Sequence, residues 1–473
     1  MATLRSPRLR RCSLTSTDFG LLDPLGQGSA SAELVGDGAW LQACVDVEVA
    51  LIRTLVDSKI APEWMSDVAT AIADAGDLDG PAIAAAGRPG GNPIIPLVEE
   101  LSARADAVHA GASDHVHVGA TSQDILDSAA MVIARNAGAE ISEQLRRTSL
   151  ALVTLIERNR ATPMAGRTLG QHASPTTFGL VAAGWLDGIL GSLAAIEALT
   201  LPISYGGSVG TLGVLSEIVA VRRPELAVES IVADLAERLD LADSRVPWHT
   251  NRLRIVELGA ALAAVVGAVG TLASDVGILS RTEIAEVSEK LGSGEGGSSA
   301  MPHKRNPVAA VLLVSAAKRS PGLVSTLFAA QVAEDQRPSG AWHAEWLALR
   351  ELEALAIDAA TAGASLVARL EVDVERMRSN LELTDGLLYS ERVTTVLAEA
   401  IGKTEAFALV TDASREAAQT RRPLQVVLTA KLADSNHDDE LRARVWAAFD
   451  PDAPIGAAGA IIDHVLARAK ELA

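Results

Sequence analysis

Most of the chain carries apolar residues at three- and four-residue spacing, the pattern of one face of an α-helix. Residues 40–56 and 125–160 show it over long stretches, whereas strand-like runs are few and short. Clusters of Pro and Gly separate the long segments at residues 87–96, 162–177, 202–213 and 292–307. The pattern therefore predicts an elongated, all-α bundle whose few polar loops carry the function.

One uncharged segment, residues 258–274, has 17 residues and is rich in Ala and Gly. It is slightly short for a membrane span, and Arg252, Arg254 and Glu257 crowd one end. We therefore predict a helix that is apolar on all sides and buried in the bundle. The basic start of the chain is not followed by an apolar stretch, so no signal peptide is expected.

Length and the position of the polar loops suggest a division into parts. The chain has 473 residues, which at roughly 150 residues per domain corresponds to about three domains. We place an N-terminal helical domain at 1–111, a central helix-bundle domain at 112–355 and a C-terminal helical domain at 356–473.

Composition narrows the range of functions. Hydrophobic residues make up 48% and aromatic residues only 3%, so the core must be built from Ala, Leu and Val, which suits closely packed helices. The formal net charge of −19 makes nucleic acid and anionic membranes poor partners. Two cysteines provide no disulfide framework, which fits a reducing cytoplasm. An anionic ligand would have to meet a local concentration of basic residues.

Such a concentration occurs at residues 292–307, here called the signature loop. Glycines and serines precede His303, Lys304, Arg305 and Asn306. In an acidic chain this cluster is a candidate clamp for a carboxylate. A flexible surface loop with solvated charges remains an equal alternative.

The signature loop also contains a Gly-x-Gly-x-x-Gly spacing. Residues 286–290 before it are predicted to be helical, whereas a dinucleotide site needs a preceding strand. The spacing of a phosphate-binding loop and the Gly-x-Ser-x-Gly motif of a hydrolase are not found in the sequence.

Residues 115–124, here called the first loop, are rich in hydrogen-bonding groups. His115 and His117 resemble a metal pair, but no third ligand stands at a suitable spacing, so no metal is predicted. Thr121, Ser122 and Gln123 are better interpreted as neutral donors at a helix N-terminus, where an anion is favoured. Ordinary helix capping is the alternative, and it is compatible with binding.

A second polar loop covers residues 166–173. We expect Arg167 to form a structural ion pair rather than to contact a substrate. Gln171 and His172 are the polar pair with the reach to contact a ligand, and a structural role for His172 remains open.

The sequence Gly-Ser-Ser-Ala-Met-Pro-His-Lys-Arg-Asn-Pro at residues 297–307 resembles the signature of the fumarase/aspartase superfamily. Residues 119–124, 205–212, 247–250 and 340–346 resemble one of its branches, the bacterial 3-carboxy-cis,cis-muconate cycloisomerases. The resemblance implies a three-domain, mostly helical subunit in a homotetramer around a twenty-helix core. It also implies active sites that combine loops from three subunits.

The resemblance implies addition or elimination at a carbon–carbon bond beside a carboxylate, through an aci-carboxylate intermediate and without a cofactor. By motif position Ser298 is the catalytic base. Lys304, Asn306, Thr121 and Ser122 are the carboxylate binders. A serine becomes a base only if its alkoxide is stabilised, which Lys304 and loop N–H groups would have to do.

One departure from the superfamily pattern concerns the leaving group. Many members have Thr-His in the second loop, whereas this chain has Thr168-Leu169, with His172 as the nearest histidine. An amine or hydroxide needs a proton to leave, but a carboxylate, with a conjugate-acid pKa of about 4, does not. The leading hypothesis is therefore lactonisation of 3-carboxy-cis,cis-muconate, with His172 as a substrate-binding residue or acid. The alternative is a fumarate-releasing lyase acting on a succinate with a good leaving group, such as nitrosuccinate.

Other departures affect the charges available for a small polycarboxylate. Glu295 stands where the cycloisomerases tend to have Lys, and the segments at 251–254 and 335–337 also differ. Arg252 and Arg337 remain as cations, and we assign Arg252, His117 and Gln171 to the substrate-binding set. A structural protein that has lost catalysis is a third possibility, against which the retention of Ser298, Lys304 and Asn306 argues.

Overall fold

The computed structural model describes residues 20–292, 294–297, 300–301, 303–433 and 439–472. These residues are mostly α-helical, which confirms the all-α prediction. The helices are α1 (Ser31–Val35), α2 (Asp37–Asp57), α3 (Met65–Ala71), α4 (Gly80–Gly87), α5 (Ile94–Val108), α6 (Ser122–Arg158), α7 (Phe178–Glu197), α8 (Gly213–Arg222), α9 (Val228–Arg238), α10 (Leu253–Leu279), α11 (Val308–Ala330), α12 (Ala341–Ala368), α13 (Val374–Leu381), α14 (Ser390–Ile401), α15 (Lys403–Thr420), α16 (Leu424–Ala433), α17 (Asp439–Ala447) and α18 (Ala458–Leu472). Short 3-10 helices lie at Gly20–Leu22, Arg88–Gly90, Ala112–His115, Glu382–Thr384 and Leu387–Tyr389.

The described residues form two small antiparallel sheets, whose strands are β1 (Pro163–Thr168), β2 (Gln171–Thr177), β3 (Val287–Glu289) and β4 (Leu370–Val372). β1 pairs with β2, and β3 pairs with β4. The predicted helix at residues 286–290 is therefore wrong. Because β3 lies in an antiparallel ladder and not in a βαβ unit, this strand does not strengthen the dinucleotide interpretation.

Five long helices, α6, α7, α10, α11 and α12, pack together as the central bundle. Glycines allow α10 to approach its neighbours closely. A Cβ added at Gly270 would lie 2.4 Å from the Cβ of Ala317 on α11. A Cβ on Gly363 of α12 would lie 2.8 Å from a methyl carbon of Val269. The Ala- and Gly-rich composition thus sets the spacing of the bundle.

Two clusters of buried hydrophobic residues bear on the domain division. The larger one runs from Val35 to Val367, and it also includes Met377 and three residues of α18. The smaller one consists of Ala165 and residues between 381 and 449. The boundary proposed at 355 falls inside the continuous helix α12, so a division after this helix fits the structure better. The three-part division itself stays a prediction.

Three helices are long and apolar enough, by length and composition alone, to cross a membrane: α7, α10 and α11. α10 contains the segment predicted to be buried, and 61% of its most apolar window is buried within this chain. For α7 the buried share is 56%, whereas for α11 it is only 22%. α11 therefore leaves an apolar face uncovered by its own chain.

Candidate active site

The first loop leads into the N-terminus of α6, as predicted. Thr121 is the N-cap, and its backbone N–H donates to the Asp124 carboxylate at 2.9 Å. Ser122 is the first helical residue and is half-buried. Gln123 is fully buried and donates to Asp127 and to the carbonyl of His249, so it is not an available ligand donor. Thr121 and Ser122 therefore remain the candidate donors of this loop.

Asp124 fixes the first loop to two distant segments. Its carboxylate accepts hydrogen bonds from the backbone N–H groups of Gly206 and Gly207, each at 2.9 Å. It also accepts from Nε2 of His249 at 2.7 Å, and both side chains are buried. Residues 205–212 and 247–250, which carry part of the family resemblance, thus act as supports for the first loop.

His117 lies at the loop bend, with a φ of 58°. Its Nδ1 contacts the carboxylate of the buried Glu48 on α2 at 2.6 Å. Burial alone lowers the pKa of His117, but the hydrogen bond and charge of Glu48, with Asp124, outweigh it and raise the pKa above its ordinary value. The imidazole is thus biased towards the cation, the form that binds a carboxylate.

Arg252 is a correction to the predicted substrate-binding set. Its side chain is 1% exposed and forms ion pairs at 2.7 Å with both Asp127 and Glu345. The guanidinium also lies 4.8 Å from the ring centre of Trp248. Five of its donor contacts go to these two carboxylates, so no side of it faces a ligand. Arg252 therefore holds α6, α10 and α12 together.

Arg337, a cation that was not assigned to the substrate-binding set from the sequence, lies beside the first loop. Its Nη1 donates to the hydroxyl of Thr121 at 2.9 Å, and its Nε lies 3.4 Å from the amide oxygen of Gln123. It forms no ion pair with a carboxylate among the described residues, and it is half-buried. It thus brings an uncompensated positive charge to the start of α6.

The second loop is a β-hairpin. Leu169 and Gly170, with φ values of 51° and 80°, form its two-residue turn between β1 and β2. The Leu169 side chain is fully exposed at the tip, and Gln171 beside it is also exposed. Gly166 lies at an irregularity in the ladder, where a Cβ would come within 2.4 Å of the carbonyl oxygen of Ser174.

Arg167 forms the structural ion pair that the sequence predicted. Its two terminal nitrogens bind the buried Glu286 at 2.9 and 2.6 Å, and Asn380 donates to the same carboxylate at 2.7 Å. His172 lies opposite Arg167 in the ladder, and its Nδ1 is buried without a hydrogen-bond partner among the described residues. Burial and the charge of Arg167 lower its pKa despite Glu286, which favours the neutral imidazole.

The signature loop follows β3. Ser298, the predicted base, lies outside the described residues, as does Ser299. The side-chain amide of Asn306 donates to the carbonyls of Gly296 and Gly297 at 3.1 and 3.5 Å. Asn306 thus connects the end of the signature loop to its beginning. Lys304 is exposed, and its ammonium has no ion pair among the described residues. Of the two predicted binders, Lys304 is the one left available.

Glu295 ties the signature loop to the end of α12. Its carboxylate pairs with Arg369 at 2.7 Å and accepts from the N–H of Gly292 at 2.8 Å. The Gly292 hydrogen bond and the charge of Arg369 lower the pKa of Glu295. Where the cycloisomerases tend to have Lys, this chain thus has a carboxylate whose charge is neutralised by Arg369.

The three loops lie at two ends of one helix. The first loop is at the N-terminus of α6, and the hairpin follows its C-terminus. α6 has 37 residues, which correspond to a length of about 55 Å. Glu286, just before β3, binds the hairpin, so the signature loop lies at the hairpin end. One chain therefore does not bring the predicted site residues together.

Glu48 and the carboxylate partners of Arg252 and Arg167 are the site elements that the sequence analysis missed. For Glu48 the sequence signal was an acidic residue within an apolar helical run, Cys-Val-Asp-Val-Glu-Val-Ala. Across the described residues, no group of three His, Cys, Asp or Glu side chains is arranged to hold a metal ion. The absence of a metal in the protein stays a prediction.

Comparisons with known proteins agree with this architecture. A family model described as lyase matches residues 40–322, and one described as adenylosuccinate lyase C-terminus matches residues 386–465. A nitrosuccinate lyase of Streptomyces davaonensis is 43% identical over 451 residues, covering 95% of this chain and 94% of the relative. A 3-carboxy-cis,cis-muconate cycloisomerase of Pseudomonas aeruginosa is 39% identical, covering 94% and 96%. The crystal structure of the 3-carboxy-cis,cis-muconate lactonizing enzyme from Pseudomonas putida superposes with a TM-score of 0.84 at 34% identity, covering 94% and 97%.

Proposed function

Because the chain belongs to the lyase family, as an enzyme of the fumarase/aspartase superfamily, we propose that it lactonises 3-carboxy-cis,cis-muconate without a cofactor. The observation that carries this proposal is the hairpin tip, where an exposed Leu169 stands in place of a proton donor. The substrate's own carboxylate, which leaves or adds without protonation, suits such a site.

In the proposed reaction one carboxylate oxygen of the substrate forms a bond to a carbon of the diene. The adjacent carbon, which lies beside another carboxylate, gains a proton, so the product is an isomer of the substrate. Ser298 donates this proton to the carbon and is reprotonated from solvent. Lys304 stabilises the doubly charged aci-carboxylate, because a cation placed where negative charge develops lowers the energy of that state.

The first loop is proposed to bind the carboxylates that do not react. Thr121 and Ser122 lie at the N-terminus of α6, where backbone N–H groups favour an anion. Arg337 and the His117 imidazole add positive charge at the same place. Gln171 and the neutral His172 are proposed to contact the substrate from the hairpin as hydrogen-bonding groups.

We propose a cytoplasmic homotetramer in which each active site combines loops of different subunits. Two observations support this assembly. The first loop and the hairpin are separated by the length of α6, and α11 exposes apolar side chains, among them Val311 and Phe328 at 58% and 45%. Such a face needs a cover. Light scattering of the protein without detergent should give the mass of four chains, whereas a detergent requirement would contradict the proposal.

Nitrosuccinate elimination is the second candidate. It is favoured by the 43% identical relative. It is also favoured by two ion pairs, Arg252 with Glu345 and Arg369 with Glu295, which leave fewer cations for a tricarboxylate. Ser298 would remove the proton beside the remote carboxylate, and nitrite would leave as an anion, giving fumarate. Leu169 is compatible with this reaction because nitrite needs no proton to leave.

One experiment separates the two candidates. Purified protein is mixed with each substrate, and loss of diene absorbance is compared with release of nitrite and fumarate. Diene loss that disappears in Ser298→Ala supports lactonisation, and nitrite release alone supports the second candidate. Ser66→Ala, a change in the exposed part of α3, is the matched control and should keep full activity. Diene loss unchanged in Ser298→Ala would contradict the proposed mechanism.

A further inference from the structure

Glu48 is the only charged residue among the fully buried residues of α2. Its Oε1 contacts Nδ1 of His117 at 2.6 Å, and its Oε2 has no hydrogen-bond partner among the described residues. A buried carboxylate without a cationic partner is strongly unfavourable. His117 is thus the group that makes this charge tolerable within the core.

The imidazole lies between the protein interior and the candidate site. Nδ1 is used by Glu48, whereas Nε2 makes no hydrogen bond among the described residues. The His117 side chain is 20% exposed, compared with 0% for Glu48. The His117 ring is therefore partly accessible from outside the core, and Nε2 is the nitrogen left available.

The backbone that follows His117 is held by Tyr205. The buried hydroxyl of Tyr205 donates to the carbonyl of Val118 at 2.9 Å. Gly119 follows with a φ of 72°, and a Cβ there would lie 3.1 Å from the same hydroxyl. The direction of His117 is thus set by the fold and not by the ligand.

Asp124, Cys44 and Tyr205 are titratable groups close to the Glu48–His117 pair. Asp124 of α6 adds a second negative charge, while burial raises the pKa of the Cys44 thiol on α2 to about 12 and also raises that of Tyr205. Cys44 and Tyr205 therefore stay neutral near neutral pH. The negative field of Glu48 and Asp124 acts on His117, and the nearby cation Arg337, which donates to the Thr121 hydroxyl, is not among the groups that shift its pKa.

We propose that Glu48 is a positioning residue that holds His117 with both ring nitrogens protonated, leaving Nε2–H as the donor for a substrate carboxylate. This inference rests on the proposed function, since that function makes the first loop a carboxylate-binding site. It assigns to a buried acid on α2 the control of substrate affinity across neutral pH.

The kinetic test compares Glu48→Gln with Glu353→Gln, which alters another fully buried carboxyl, on α12. At pH 7.5 the KM of Glu48→Gln for 3-carboxy-cis,cis-muconate or nitrosuccinate should rise about tenfold, with kcat changed less than twofold. Because the variant His117 loses its proton at lower pH, its KM should begin to rise at lower pH than that of the wild type. The control variant should keep the wild-type KM.

A second measurement is independent of turnover. Protein labelled at histidine Cε1 is titrated by nuclear magnetic resonance, and His117→Gln identifies the resonance. Its midpoint should lie above the ordinary histidine value in the wild type and the Glu353→Gln control, and clearly lower in Glu48→Gln. An unchanged midpoint in Glu48→Gln would overturn the inference, as would an equal rise of KM in both Gln variants.

Two further outcomes keep the test decisive. If Glu48→Gln does not fold, His117→Gln should show the raised KM with no pH dependence in the range where the wild-type KM changes. A His117→Gln protein with wild-type KM would contradict the inference. If neither substrate reacts while the Glu48→Gln midpoint still falls, the proposed function fails and the Glu48–His117 charge pair stands.

Discussion

The two ends of α6 hold their charges in opposite ways. At the first-loop end, here called the network end, Arg252 is buried and paired with Asp127 and Glu345, and the buried Asp124 is paired with His249. At the hairpin end Gln171, Glu295 and Lys304 are exposed, and His172 and Asn306 are half-buried, while the Arg167–Glu286 pair is the buried ion pair of this end. The contrast indicates a rigid binding end and an adaptable reacting end.

The physical cost of burial explains this difference. A buried charge is tolerated only with its partner, so the network end is sensitive to the loss of any member. An exposed cation gains little stability from its surroundings and is free to follow a substrate. Variants at the network end should therefore change folding, and variants at the hairpin end should change activity.

The largest effect is expected at Arg252. Arg252→Ala would leave Asp127 and Glu345 buried without their cation, which should lower the free energy of unfolding by about 3 to 5 kcal/mol. Denaturant unfolding measures the change. The control is Arg254→Ala, which removes an exposed pair with Glu257 and should cost less than about 1 kcal/mol. Equal destabilisation by both changes would remove the distinction between the two ends.

Lys304 should show the opposite behaviour. Lys304→Ala is expected to lower kcat/KM by roughly 10²-fold or more, because it removes charge that stabilises the developing intermediate. The melting temperature should stay at the wild-type value, since the side chain is exposed. Lys59→Ala, another exposed lysine, provides the control for activity. A Lys304→Ala enzyme with full activity would mean that the signature loop does not supply this charge.

Glu353 tests the rule that buried charges need partners. It lies two turns after Glu345 on α12, and burial raises its pKa to about 8, despite the opposing charge of Arg350. Between pH 4.5, the ordinary pKa of a glutamate, and pH 8, Glu353 keeps a proton in the folded chain that it has released in the unfolded chain. The free energy of unfolding therefore falls as pH rises through this range. The wild type should lose about 2 to 4 kcal/mol of unfolding free energy from pH 5 to pH 8.

Glu353→Gln should flatten this profile, because the amide cannot ionise. The test is chemical denaturation of both proteins at several pH values under identical salt. Parallel profiles for the two proteins would show that another group causes the pH dependence.

Glu295 is expected to give the smallest effect. Glu295→Gln breaks an exposed pair with Arg369, and because such pairs add little stability the melting temperature should stay at the wild-type value. Because it frees a cation near the signature loop, the KM for a tricarboxylate should fall about two- to threefold, more than for a dicarboxylate. Steady-state kinetics at low and high salt measures this difference, which salt should reduce. A higher tricarboxylate KM in the variant would count against this assignment.

Local patterns were sufficient where the answer depended on nearby residues. Apolar spacing predicted α2 and α6, and the donor-rich residues before α6 predicted its N-terminus at Thr121 and Ser122. The same approach failed at residues 286–290, because β3 exists only through its pairing with β4, about 80 residues later in the sequence. It also failed at Arg252, since an arginine in a sequence does not reveal the carboxylates that will bury it.

The sequence by itself determined the all-helical class and the polar loops, because helix periodicity and loop composition are local properties. Only the tertiary structure decided which charged side chains are paired inside the protein and which remain available for a ligand. It placed Glu48 behind His117 and put the first loop and the hairpin at opposite ends of α6. The reason is that burial and distance arise from packing between segments far apart in the chain.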